Sequence, residues 1–210
     1  MGGAPIALRR PAPPTLGLLS AAALLAACAR PTPTFTPSRT PLNLSNAAPA
    51  VAWQYDAGQP LTARVAAGHD LVLLAPGGEA LVALEAETGR EKWRYPGRVH
   101  PGSLLIAEAL VFAGAPGGAL LALEVETGAL RWEARLIGDL IYPPAVVDGM
   151  LYAGTAFVGP GLTAQPEKAG RLYARRARDG EPAWERVTEC YLLASPVVDA
   201  DLLVAGGSFL

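Results

Sequence analysis

The sequence predicts an all-β fold, a β-propeller of four-stranded antiparallel blades, and three observations carry that expectation. The four tryptophans, Trp53, Trp93, Trp132 and Trp184, stand 40, 39 and 52 positions apart, a period near forty residues. Gly and Pro account for 23 and 20 of the 210 residues, which implies many turns and therefore many short strands. Apolar runs of about four residues alternate with those turns, the grammar of strands rather than helices.

Composition bounds the class. With 51% hydrophobic residues the chain can bury a core, so disorder throughout is excluded. Charged residues are only 17%, 17 basic against 19 acidic, and a net charge of −2 offers no electrostatic footprint for nucleic acid. Two cysteines and two histidines cannot build a four-ligand zinc site of the usual spacing or a disulfide framework.

In chain order, residues 1–27 read as an address. Arg9 and Arg10 precede LGLLSAAALLAA, an uncharged run from Leu16 to Ala27. That is the length of a signal-peptide core, whereas a membrane-spanning helix needs about 20 residues. Pro11-Ala12-Pro13 stands where a twin-arginine signal wants an apolar pair. The run ends Leu25-Ala26-Ala27-Cys28, which resembles the lipobox of bacterial lipoproteins, and that resemblance implies a lipid on Cys28. The membrane is then a partner through that lipid, and the remainder is extracytoplasmic, at the cell membrane or the outer membrane. Residues 28–50 carry prolines 31, 33, 37, 41 and 49 among Thr and Ser, with few hydrophobes, and are expected to be a semi-rigid tether.

Residues 51–210 hold the repeats. LVLLAPGGEALVALEAETGREKW, ending at Trp93, and LVFAGAPGGALLALEVETGALRW, ending at Trp132, share twelve of twenty-three positions without a gap. Each unit predicts a second strand (Leu71–Leu74, Leu110–Ala113, Met150–Ala153, Leu202–Ala205), preceded by a turn and a shorter apolar run. Asp148-Gly149 between apolar runs is a strong hairpin signal. Gly77-Gly78 or Gly117-Gly118 leads into a third strand, and Thr88-Gly89 or Thr127-Gly128 turns the chain into a fourth strand bearing the Trp. The last copy stops after its second strand, so the count predicts three blades and a half, a piece of a larger ring.

Ala83-x-Glu85-x-x-Thr88-Gly89-x-x-x-Trp93 and Ala122-x-Glu124-x-x-Thr127-Gly128-x-x-x-Trp132 resemble the tryptophan-docking motif of the pyrroloquinoline-quinone (PQQ) repeat family. The family usually has Asp in place of the Glu, and the third copy keeps only Ala174, Gly180 and Trp184. The resemblance implies that these alanines, glycines and tryptophans dock blade on blade. Family members divide into quinoprotein dehydrogenases, which hold PQQ with calcium and often a disulfide between adjacent cysteines, and non-enzymatic docking scaffolds such as the outer-membrane barrel-assembly lipoproteins. No adjacent cysteine pair exists here. The expectation is therefore a scaffold with no catalytic, cofactor or metal residue and a protein partner at its blade-end loops. The alternative is a PQQ-dependent oxidoreductase whose catalytic residues lie past residue 210.

The remaining candidates carry little chemistry. Cys190 has no assignable base and reads as a small buried hydrophobe. His69 and His100 sit beside turns and are expected to be solvated. Asp199-Ala200-Asp201 stands where Asp148-Gly149 makes the preceding hairpin, so it reads as a turn. Glu85, Glu87, Glu124 and Glu126 recur with the repeat. Arg171, Arg175, Arg176 and Arg178 read as a solvated outer strand. One insertion, Ala156 to Gly170, lengthens the third unit where binding loops of a rigid scaffold sit.

Overall fold

The computed structural model of the protein describes residues 6–9 (backbone only), 51–61, 65–156, 170–188, 191–199 and 202–208. Cys28, the Pro-rich segment, most of the insertion, Cys190 and Asp201 lie outside the described residues. The chain divides into two units, Met1–Pro11 with Ala52–Leu210, and Ala12–Val51, and every strand belongs to the first.

Strand β1 is Ile6–Arg9. The first blade then runs β2 (Ala66–Gly68), β3 (Leu71–Leu74), β4 (Leu81–Glu85) and β5 (Glu91–Tyr95), paired antiparallel in that order. The second is β6 (Leu105–Ala107), β7 (Leu110–Ala115), β8 (Ala119–Glu124) and β9 (Leu130–Arg135). The third is β10 (Ala145–Val147), β11 (Met150–Thr155), β12 (Arg171–Arg176) and β13 (Pro182–Val187). After β14 (Tyr191–Leu192), a fourth sheet begins with β15 (Val197–Asp199) and β16 (Leu202–Ala205), and β17 (Gly207–Ser208) returns to pair with β14. The β16 edge, third-strand place of this last sheet, is filled by β1, in register from Ile6 opposite Ala205 to Arg9 opposite Leu202. Those four residues fall inside the segment expected to be a signal peptide.

The strands are short because turn chemistry interrupts the chain every few residues. Each first hairpin closes through two successive left-handed residues: His69 and Asp70 at φ 50° and 56°, Glu108 and Ala109 at 50° and 61°, Asp148 and Gly149 at 51° and 73°. This geometry follows the right-handed twist of the flanking strands, which is why two-residue hairpins adopt it. The ladder between third and fourth strands slips at one repeated place, after Ala83, Ala122 and Ala174, each of which stands directly opposite its blade's Trp. A bulge there bends the outer strand and re-aims its side chains.

Burial follows strand position within the blade: the inner strands β7 and β11 are almost wholly buried, whereas the outer strands β9 and β13 are mostly exposed. Alternate residues feed different seams. Val111 and Ala113 pack against Leu71, Leu73 and Leu81 of the first blade. Leu110 and Phe112 pack against Leu151, Ala153 and Tyr173 of the third. Tyr152, Leu172 and Ala174 then meet Leu203 and Ala205 of the last sheet. There is no single core; each seam between blades has its own.

Candidate functional site

Three tryptophans make the same contact. The indole N–H of Trp53 donates to the Ala86 carbonyl at 2.9 Å, that of Trp93 to Val125 at 2.8 Å, and that of Trp132 to Ala177 at 2.9 Å. Each accepting carbonyl lies three residues before a glycine, Gly89, Gly128 or Gly180, with φ of 71°, 69° and 74°. A Cβ on Gly128 would come within 2.5 Å of Trp93, and one on Gly180 within 2.7 Å of Trp132, so the ring rests on the bare glycine backbone. Gly89 therefore receives Trp53, while Trp93 of the same motif reaches across to Gly128. Ala83, Ala122 and Ala174 are fully buried. Trp184 packs on Tyr152, ring centroids 6.1 Å apart, and among the described residues no carbonyl meets its N–H.

The motif acids stay within their own turns or reach the next strand. Glu85 accepts from the Thr88 hydroxyl and from Arg90, and Glu124 from Arg131. The Thr88 hydrogen bond, with Arg90 second, holds the Glu85 carboxyl below its ordinary range. An open cleft of about 280 Å³ is lined by Asp70, Glu85, Glu87 and Lys92, of which Glu85 is held by Thr88 and Arg90 and Lys92 pairs with Glu126.

The arginine cluster departs from expectation. It lies on β12 and the following turn, inside the blade rather than on its outer strand, and its members are bound. Arg171 pairs with Glu185, Arg175 donates to the Gly180 carbonyl, and Arg176 and Arg178 share Asp179. The Arg176 hydrogen bond keeps the Asp179 carboxyl low. Each of the four arginines thus has an acidic or carbonyl partner among the described residues.

The turns between second and third strands lie at the same end as the blade-to-blade connections, which hydrogen-bond to them: Val99 N–H to Gly78, Leu136 N–H to Gly118, Thr188 N–H to Gly170. The insertion joins this face through Ala156 and Gly170. His100 sits here and differs from the solvated residue expected: its side chain is three-quarters covered, with Nε2 3.5 Å from Asp139 Oδ1, an oxygen that also accepts from the Gly118 N–H. The cause is the connection itself, pinned by His100 N–H to the Gly114 carbonyl and by Ser103 Oγ, which bridges His100 and Gly114. Tyr173 supports the same face by accepting from the Ile137 N–H, and burial pushes its phenol pKa up. Sequence reading missed this pairing because His100 and Asp139 are one blade apart and neither belongs to the repeat motif. His69 is exposed in its hairpin turn.

Among the described residues no three His, Cys, Asp or Glu side chains gather as a metal site. Trp53, Trp93 and Trp132 are each committed to a seam. The described residues therefore do not fit a quinone held with calcium.

The family described as outer membrane protein assembly factor BamB matches the chain over residues 43–189. No curated protein matches it. Among solved structures, BamB from Moraxella catarrhalis is similar at 23% identity and TM-score 0.62, over 74% of this chain and 46% of that one. The chain thus spans about half the length of that structure. The quinohemoprotein alcohol dehydrogenase from Comamonas testosteroni is similar at 18% identity and TM-score 0.51, over 62% of this chain and 21% of that one. The computationally designed Ika4 protein is similar at 13% identity and TM-score 0.56, over 77% and 93%.

Proposed function

The chain belongs to the family of the outer membrane protein assembly factor BamB, and from that premise we propose that it is a lipid-anchored, extracytoplasmic scaffold which holds a protein partner at its blade-end loops. Cys28 carries the lipid, residues 28–50 space the propeller from the membrane, and the Ala/Gly/Trp sets hold blade to blade rather than touching any ligand. One observation carries the reading: the side chains that recur in every blade are consumed by the seams. What remains for function is the non-repeating face with its inserted loop. Outer-membrane association follows the family's name and a thiol that ends a short apolar run.

Membrane fractions test both halves. Tagged wild-type protein should sediment with membranes and capture a defined partner. Cys28→Ala should move it to the soluble fraction or leave an unprocessed precursor. Replacing Ala156–Gly170 by a two-glycine turn should keep it on the membrane and abolish capture. Normal membrane retention of the Cys28 variant would refute the anchor, and undiminished capture without the loop would refute the docking face.

A further inference from the structure

A gap in the hydrogen bonding lies where three chain segments meet. The Nε2 atom of His100 is shut off from solvent and has no hydrogen-bond partner among the described residues. Asp139 Oδ1 stands 3.5 Å from it, too far for a hydrogen bond, and that oxygen already accepts from the Gly118 N–H. A buried ring nitrogen left in this state is costly until something completes it.

Asp139 is itself a junction. Its N–H donates to the Ala156 carbonyl at 2.7 Å and its carbonyl accepts from the Ala156 N–H at 3.1 Å, an isolated bridge between the second-to-third blade connection and the end of β11. Gly138 lies so close that a Cβ on it would come within 3.1 Å of the Ala156 carbonyl oxygen, and Thr155 Oγ1 donates to the Ile137 carbonyl. His100 belongs to the previous connection, where its N–H donates to the Gly114 carbonyl. One carboxylate therefore links two blade connections and β11. The pair does not recur: Val99 and Leu136 make matching backbone contacts to Gly78 and Gly118, yet Ile137 follows Leu136 where His100 follows Val99.

We propose that His100 is a proton-operated latch: protonation completes its contact with Asp139 and fastens the Asp139–Ala156 bridge, and deprotonation loosens it. A neutral ring turns toward the carboxylate either a bare lone pair or an N–H held too far away. A charged ring offers a donor whose attraction to the carboxylate draws the two together. Imidazole changes charge between about pH 5 and about pH 8, where ordinary carboxylates stay ionised. The surrounding charges leave the pair to itself. Asp139 is the one charged residue of 136–144, and neither β7 nor the turn 116–118 carries any. Glu79 and Arg98 face each other at 3.8 Å, both largely exposed. Arg135 pairs with Glu133 and donates to the Gly117 carbonyl. The chain's other histidine, His69, is exposed in the first hairpin of the first blade. The bridge opens locally, without unfolding of the blades, so the latch governs a local equilibrium and not global stability.

The test is amide hydrogen exchange of the full chain in mild detergent at about pH 5.5 and about pH 8, either side of the imidazole range. Protection factors are compared, so that the intrinsic pH dependence of exchange drops out. In the wild type the Asp139 and Ala156 amides should be severalfold more protected at the acid pH. The Gly114 amide, which donates to Ser103 Oγ, serves as the reference and should not respond. His100→Gln and Asp139→Asn should each give the alkaline value at both pH values, and the Asn variant keeps an oxygen for the Gly118 N–H, so its turn survives. His69→Gln should respond as the wild type does. Equal protection in the wild type at the two pH values, or greater protection at the alkaline one, would overturn the proposal without recourse to any variant. So would a response that persists in His100→Gln or disappears in His69→Gln.

Discussion

At the scale of single residues, two glycines with nearly the same backbone separate conformation from contact. Gly128 and Gly149 have φ of 69° and 73°, yet a Cβ on Gly149 meets nothing within 4 Å while one on Gly128 strikes Trp93. Gly149→Ala should cost only the left-handed penalty, about 1–2 kcal/mol. Gly128→Ala should cost that plus displacement of a buried indole, approaching the ~3–5 kcal/mol of deleting a buried aromatic. Urea unfolding midpoints at constant m-value measure the difference. Sequence alone separated these positions poorly. The Thr-Gly and Asp-Gly pairs both announced turns, but nothing in Ala83–Trp93 said that its glycine serves the tryptophan of the preceding unit. That relation exists only once blades are stacked.

At the scale of elements, the propeller blades were legible because their apolar runs and turn residues recur at one period. Where a turn lacked its usual residues, the repeat supplied it: Glu108-Ala109 takes the same left-handed geometry as Asp148-Gly149 without either side chain favouring it. The His100–Asp139 pair and the internal place of the arginines were not legible, since each depends on a contact between segments of unrelated sequence. Element stability also has a pH signature. Glu85 and Asp179 hold their turns as carboxylates with pKa values below the ordinary range, so their contribution is present above that range and lost as pH falls through it. Stability to urea should be flat near neutrality and decline from about pH 5 downward. Glu85→Gln with Asp179→Asn should flatten the decline, and an unchanged acid slope would mean that other carboxylates dominate.

At the scale of the whole molecule, stability is distributed over seams rather than gathered in one core. Phe112 is fully buried in the seam between second and third blades, 6.0 Å from the Trp132 ring centroid. Phe112→Ala should cost ~3–5 kcal/mol. Because blades contact only their neighbours, it should also turn one calorimetric transition into two, the first blade pair melting apart from the rest. A single transition shifted downward would mean that the arc unfolds as one unit.

The indole-to-carbonyl contacts give the protein an optical property. Trp93 and Trp132 each lie across a blade boundary and Trp53 binds the outer face of the first blade, all three clamped to a carbonyl beside a glycine turn, while Trp184 packs on Tyr152 beside the last sheet. Chains retaining one indole at a time, the others replaced by Phe, become four separately addressable fluorophores. Emission wavelength and quencher access then report, one indole at a time, the loosening of the packing around each tryptophan.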